Sequence, residues 1–176
     1  MSVDDAPTVD APLDDDAVLL VGHGSRREKS NEQVRDVAAD LESQLGIPVD
    51  AAYLELAEPA IPDAIGTLAP TCRRLTVVPL SLFGASHVKS DIPLAVQTAR
   101  ARHDGVTIRY GSHLGVHPSL VELLDDRVRS IEADLGVDRA EDDVAVVVCA
   151  RGSSDPDSNA DVHKLARLLY EGRDLD

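Results

Sequence analysis

The chain has 176 residues, with 32 acidic against 17 basic side chains for a net charge of −15. Its 43% apolar share supports a packed core and excludes wholesale disorder, and the length fits one compact domain with room for a fragment of a second. The acidity excludes a nucleic-acid footprint, no apolar run approaches the ~18–20 residues of a membrane span, and MSVDDAPTVDAPLDDD is not a signal peptide, so a cytosolic protein is expected.

Residues 1–16 are rich in Asp, Ala and Pro without period and read as a disordered acidic tail. Ala17 to Val21 is a continuous apolar strand, followed by a Gly-containing turn and a helix from about Ser30 to Leu45. Val49 to Leu56 is the second strand, and Glu58-Pro59 opens a helix towards Leu68, with Pro62 tolerated in its first turn. Leu75 to Leu82 is the third strand, ending in a Gly/Ser/His loop. A helix then starts near Asp91, a candidate N-cap with Pro93 close behind. Val106 to Tyr110 is the fourth strand. Pro118 to Leu135 is the clearest amphipathic helix, with Leu120, Leu123, Leu124, Val128 and Ile131 on one face. Val144 to Val148 reads as a fifth strand and Ala160 to Leu169 as a last helix. Alternating apolar strands and helices predict an α/β fold, an open parallel sheet with helices on both faces. In such sheets ligands bind beyond the carboxyl ends of the strands, which directs attention to the loops after strands one and three.

Residues 22–31, GHGSRREKSN, are echoed by ARGSSDPDSN at 150–159. Gly24, Ser25 and Asn31 recur as Gly152, Ser153 and Asn159 at a constant offset, each set after a Val-rich run, and Arg151 stands where the first copy has His23. The chain therefore reads as a complete lobe over 17–140 and the first strand–helix unit of a second, incomplete one over 141–176. Cys72 and Cys149 form no CxxC pair and read as buried small hydrophobes, not as a disulfide or zinc site. Of the acids 23 are Asp, and of the bases 14 are Arg and three are Lys. That make-up suits the surface of a protein from a high-salt cytoplasm, where charges are screened over roughly 3 Å at 1 M salt.

His23 lies at the carboxyl end of the first strand between two glycines, which let the chain turn and leave the imidazole uncrowded. It suits a ligand or a base; the plainer alternative is a turn histidine that hydrogen-bonds locally. His87 follows the third strand in FGASHVKSDIP, again beside small residues. Strands one and three are often neighbours in doubly wound sheets, so the two histidines could face one crevice and hold a divalent metal such as Co, Ni, Fe or Zn. Glu55, among apolar neighbours at the end of the second strand, is a metal-binding or proton-handling group or else a helix cap, a task that Glu58 fills better. His113 and His117 after the fourth strand are weaker candidates for the same crevice; His103 and His163 read as solvent-facing. Arg26, Arg27 and Lys29 cluster beside His23, and Lys89 follows His87. With Ser25 and Ser86 in the same loops, they form a candidate binding set for an anionic substrate.

GHGSRREKSN, AYLELAEPAIPDAI and PLSLFGASHVKSDIP, in that order, resemble the class II chelatases, and more closely the CbiX-type sirohydrochlorin cobaltochelatases. The resemblance covers residues 17–135, and VVVCARGSSDPDSNADVHKLARLLYEG resembles the start of the second half of two-lobed members. It implies insertion of a divalent metal, cobalt first and iron or nickel as alternatives, into sirohydrochlorin, an octacarboxylate tetrapyrrole of cobalamin and sirohaem synthesis. It also implies that His23 and His87 hold the metal or take the pyrrole protons, assisted by Glu55. No nucleotide is implied, and no GxxxxGK[ST] loop is present. Members of the family are two-lobed or pair as homodimers, so a homodimer or a second lobe is expected to close the site. A histidine phosphatase would want Arg directly before the strand-end His, where this chain has Gly22. A non-catalytic metal or tetrapyrrole carrier would use the same histidines.

Overall fold

Four apolar runs form parallel strands in the computed structural model, which describes residues 15–138 and 144–172. They are β1 (Asp16–Gly22), β2 (Val49–Tyr53), β3 (Arg74–Pro79) and β4 (Thr107–Tyr110). The sheet order is β2-β1-β3-β4, so strands one and three are neighbours, as expected. The α/β class with an open parallel sheet holds. The expected tail at 1–16 falls outside the described residues except at its end. There Asp16 belongs to β1, opposite Arg74 in the β1–β3 register. Its carboxylate accepts from Arg74 Nε at 3.0 Å and from a second guanidinium nitrogen, which is how a largely buried acid is accommodated.

The chain divides into two units. The first runs to Leu80 and includes Ile92–Gly111, and holds the sheet with helices α1 (Glu28–Leu45), α2 (Ile61–Leu68) and α3 (Ile92–Arg100). β1 is buried on both faces. Ala17, Leu19 and Val21 enter the main core with Ile61, Ile65 and Leu68 of α2 and Ile92 and Val96 of α3. Leu20 points the other way, to Ala38 of α1 and Val49. This two-sided burial explains why the strands read as continuous apolar runs. β2 stops at Tyr53, short of the predicted Leu56, and β3 at Pro79, short of Leu82. Both overextensions came from apolar residues that lie in the following loops. Tyr53 is fully buried, its hydroxyl donating to the Asn31 carbonyl at 2.9 Å.

The second unit comprises Ser81–Asp91 and the chain from Ser112. Its helices are α4 (Pro118–Leu135), with the predicted bounds, and α5 (Pro156–Gly172), which starts four residues earlier than predicted. Asp155 supports that start by accepting from the Asp157 backbone N–H at 3.0 Å. The predicted apolar face of α4 is only partly covered: Leu120, Leu124 and Val128 are half-buried, while Leu123 and Ile131 are exposed. Two further expectations are corrected. The predicted strand Val144–Val148 is not a strand. Its residues alternate between half-buried and exposed as a strand's would, but a strand needs a neighbouring backbone for its ladder, and no described residue pairs with it. Asp91 is not an N-cap: it ends a π-type turn, His87–Asp91, that leads directly into α3. Among the described residues, no helix is long and apolar enough to cross a membrane.

Candidate metal-handling site

Beyond the last residues of β1 and β2 the ladder continues for two more hydrogen bonds. Leu54 N–H donates to the Gly22 carbonyl at 3.0 Å and Glu55 N–H to the His23 carbonyl at 3.1 Å. Parallel pairing thus carries His23 and Glu55 off the sheet side by side. His23 Nε2 lies 3.3 Å from Glu55 Oε1, with both side chains 52% exposed. Gly24 makes the approach possible. Its φ is +88°, and a Cβ placed there would lie 1.8 Å from the Glu55 carbonyl oxygen. Only glycine fits both demands. Leu56, just past Glu55, also adopts a positive φ of 64°, a strained conformation for a bulky residue. An exposed pair of this kind contributes ~0–1 kcal/mol to stability. The strained Leu56 backbone and the glycine requirement at Gly24 are out of proportion to that gain.

The loop after His23 is held by a closed ring of hydrogen bonds. Ser25 N–H donates to Asn31 Oδ1 at 3.0 Å, Asn31 Nδ2 donates back to the Ser25 carbonyl at 2.9 Å, and Arg27 N–H donates to Ser25 Oγ at 3.0 Å. Ser25 is therefore a structural member of the loop. Arg26, Arg27 and Lys29 lie exposed around it, where an anion can reach them.

In the second unit, His87 Nδ1 lies 2.5 Å from Asp91 Oδ2, four residues on. A carboxylate at Nδ1 fixes the ring and favours the tautomer with its lone pair on Nε2. Ser86 contributes its carbonyl, which accepts from Ser90 Oγ at 2.6 Å. Lys89 departs from its expected role: its Nζ donates to Asp155 at 2.9 Å and to Asp157 at 2.8 Å. These bonds push the lysine pKa up and draw that of Asp155 down, so Lys89 anchors its own turn to the start of α5. Among the described residues, no group of three or more His, Cys, Asp or Glu side chains is assembled for a metal ion. The expected trio of His23, Glu55 and His87 is represented by two pairs, His23–Glu55 in one unit and His87–Asp91 in the other.

A model of the CbiX family matches residues 17–131, which carry both pairs. The chain belongs to the CbiX family. Among curated members it is 35% identical over 156 residues to a sirohydrochlorin cobaltochelatase of Priestia megaterium, covering 88% of this chain and 50% of that one. It is 34% identical over 157 residues to a sirohydrochlorin ferrochelatase of Bacillus subtilis, covering 88% and 58%. The structure of SirB from Bacillus subtilis with Fe3+ superposes with a TM-score of 0.75 at 34% identity, covering 89% of this chain and 60% of SirB. The chain thus spans little more than half the length of these CbiX relatives.

Beyond the CbiX segment, the echoed residues repeat the loop's ring. Ser153 N–H donates to Asn159 Oδ1 at 2.9 Å, Asn159 Nδ2 to the Ser153 carbonyl at 2.7 Å, and Asp155 N–H to Ser153 Oγ at 3.1 Å. Gly152 repeats the positive φ of Gly24, at 77°. The remaining histidines do other things: His117 Nδ1 accepts from Ser119 N–H and caps α4, the His113 ring packs where a side chain on Gly84 would otherwise stand, His103 is half-buried and His163 exposed. Asp91, expected as a helix cap, instead pairs with His87. Its signal was the four-residue spacing from His87, which closes such a pair within one turn.

Proposed function

We propose that this chain inserts a divalent metal, with cobalt as the metal, into sirohydrochlorin for tetrapyrrole synthesis. The observation that carries the reading is the His23–Glu55 pair at 3.3 Å, held by strained and glycine-dependent backbone inside the CbiX segment. The curated relatives divide between cobalto- and ferrochelatase names, and iron is the alternative metal.

The chemistry follows from what insertion requires. Two pyrrole N–H bonds break, all four ring nitrogens bind the metal as it leaves its earlier ligands, and two protons need acceptors. A neutral imidazole can release the metal and then take a proton, and His23 has the Glu55 carboxylate beside it to receive the positive charge. His87, with Asp91 at Nδ1, offers Nε2 for the same purpose. A metal held by few protein ligands keeps open positions for incoming nitrogens, whereas a closed four-ligand site would retain it. Arg26, Arg27 and Lys29 offer cations to the peripheral carboxylates of the substrate. The repeated ring at 153–159 supports reading residues 141–176 as the opening of a second lobe, and a second lobe or a second copy would complete the walls. The Asp-rich surface supports a home in a high-salt cytoplasm.

The test follows sirohydrochlorin absorbance with Co²⁺ in molar salt, with the spontaneous rate subtracted. The expected result is acceleration that is lost in His23→Ala and in His87→Ala while both variants keep their circular dichroism. Rates equal to the uncatalysed one with the unaltered chain, or full rates in both variants, would overturn the reading.

A further inference from the structure

The second unit contains a cavity of about 470 Å³, within the ~300–1,000 Å³ range of small-molecule sites. Phe83, Leu124 and Leu165 give it apolar walls, and Cys149, Arg151 and Ser158 also line it. Two of these side chains lack the partners their chemistry calls for. Ser158 is 7% exposed, yet no described residue bonds its hydroxyl. Arg151 makes no hydrogen bond or ion pair with any described residue, although acids outnumber bases 32 to 17 in this chain. A buried hydroxyl without a partner carries a desolvation cost, which a ligand reaching the cavity would relieve.

Arg151 also occupies a particular place in the repeated loop. It directly precedes a glycine of positive φ and stands two residues before the serine of the hydrogen-bonded ring, as His23 does in the first copy. The same backbone presents its side chain, but the chemistry has changed from a titratable ring to a permanent cation that forms no ion pair with a described acid. A guanidinium over apolar walls suits a molecule with an apolar body and a peripheral carboxylate, bound through two parallel N–H···O bonds that low-dielectric walls strengthen.

We propose that this cavity is a carboxylate-anchoring subsite: Arg151 binds a peripheral carboxylate of the tetrapyrrole, Ser158 bonds the same arm, and Phe83, Leu124 and Leu165 cover the adjoining edge. The proposal rests on the chelatase reading and names the part of the substrate that the second copy of the loop holds.

The experiment is a metal-free titration of the full chain with sirohydrochlorin, followed by absorbance, and repeated with the fully methyl-esterified pigment. In Arg151→Ala the Kd for the free acid is expected to rise about ten- to hundredfold, the scale of one charge-assisted contact. Arg151→Lys recovers part of the affinity, Arg151→Glu binds worst, and the ester binds equally to the wild type and Arg151→Ala. In insertion assays the loss falls on KM. Arg151 is exposed, so the variants are expected to melt with the wild type. An unchanged Kd for the free acid in Arg151→Ala would overturn the subsite and leave the chelatase reading standing. Failure of the wild-type chain to bind sirohydrochlorin would overturn both.

Discussion

Gly24 is the position where one methyl group should disable the site. A Cβ there would lie 1.8 Å from the Glu55 carbonyl oxygen and 3.2 Å from the Tyr53 Cβ. Tyr53 is fully buried and tied to Asn31, so the Glu55 backbone has to give way. Real contacts of this kind stay beyond 3.0 Å, so the gap must open by about 1.2 Å, enough to break the Glu55 N–H bond to the His23 carbonyl. A misplacement near 1 Å costs about 10²-fold in rate, and Gly24→Ala is expected to slow metal insertion by about that factor. The left-handed φ adds ~1–2 kcal/mol of strain and overpacking ~1–3 kcal/mol. Together they lower Tm by roughly 4–20 °C, at ~2–4 °C per kcal/mol. Gly46→Ala is the matched control, because Gly46 has a φ of +68° with nothing within 4 Å of the added carbon. It should lose only the ~1–2 kcal/mol of conformational strain and keep its rate. Insertion assays and thermal melts on the two variants decide the matter. A Gly24→Ala rate within twofold of wild type, or an equal loss of rate in Gly46→Ala, would refute the reasoning.

Asp91→Asn removes the carboxylate from His87 Nδ1 and should reduce insertion about 10–100-fold. The melting temperature should move little, since exposed pairs are worth ~0–1 kcal/mol; a full rate would show that the carboxylate does not orient the ring. Arg74→Ala removes the guanidinium from the Asp16 carboxylate, which is 9% exposed, and should cost ~3–5 kcal/mol in urea unfolding, whereas a loss below ~1 kcal/mol would show that the guanidinium is not what accommodates the acid. The Lys89–Asp155 tie should be indifferent to pH across neutrality. Asp155 is drawn below its ordinary 3.8, so its contribution stands above that value and fades as pH falls through the lowered one. Lys89 is pushed above 10.5, so its contribution stands below that value and fades as pH rises through the raised one. Carboxyl NMR should place the Asp155 midpoint below 3.8 and move it up in Lys89→Met; an unmoved midpoint would show that the lysine is not the cause.

Much of this was legible in the residues, and the failures have identifiable causes. Strands buried on both faces announce themselves as apolar runs, and the adjacency of β1 and β3 follows from the habits of doubly wound sheets. His23 and Glu55 stood out because polar residues that end such runs have few structural tasks. Asp91 and Lys89 were misread because sequence shows the type of a charge and not its partner: an acid before Ile-Pro looks like a cap, and a lysine beside a histidine looks available to substrate. Asp155 and Asp157, which engage Lys89, lie more than sixty residues away. The strand expected at 144–148 has the right pattern, but pattern cannot supply a neighbour.

The two copies of the Ser–Asn ring carry a consequence for how such a protein changes over time. Each ring is specified by a glycine, a serine and an asparagine at fixed spacing, and its bonds run through the backbone and those two side chains. The other positions are left open to drift. Arg27 and Lys29 in the first copy correspond to Asp155 and Asp157 in the second, an inversion of charge at two positions of one loop geometry. Mutation can therefore explore new reactivity on this loop without first having to reinvent its shape. Ten-residue segments exchanged between the two places should keep their conformation while carrying their charge with them.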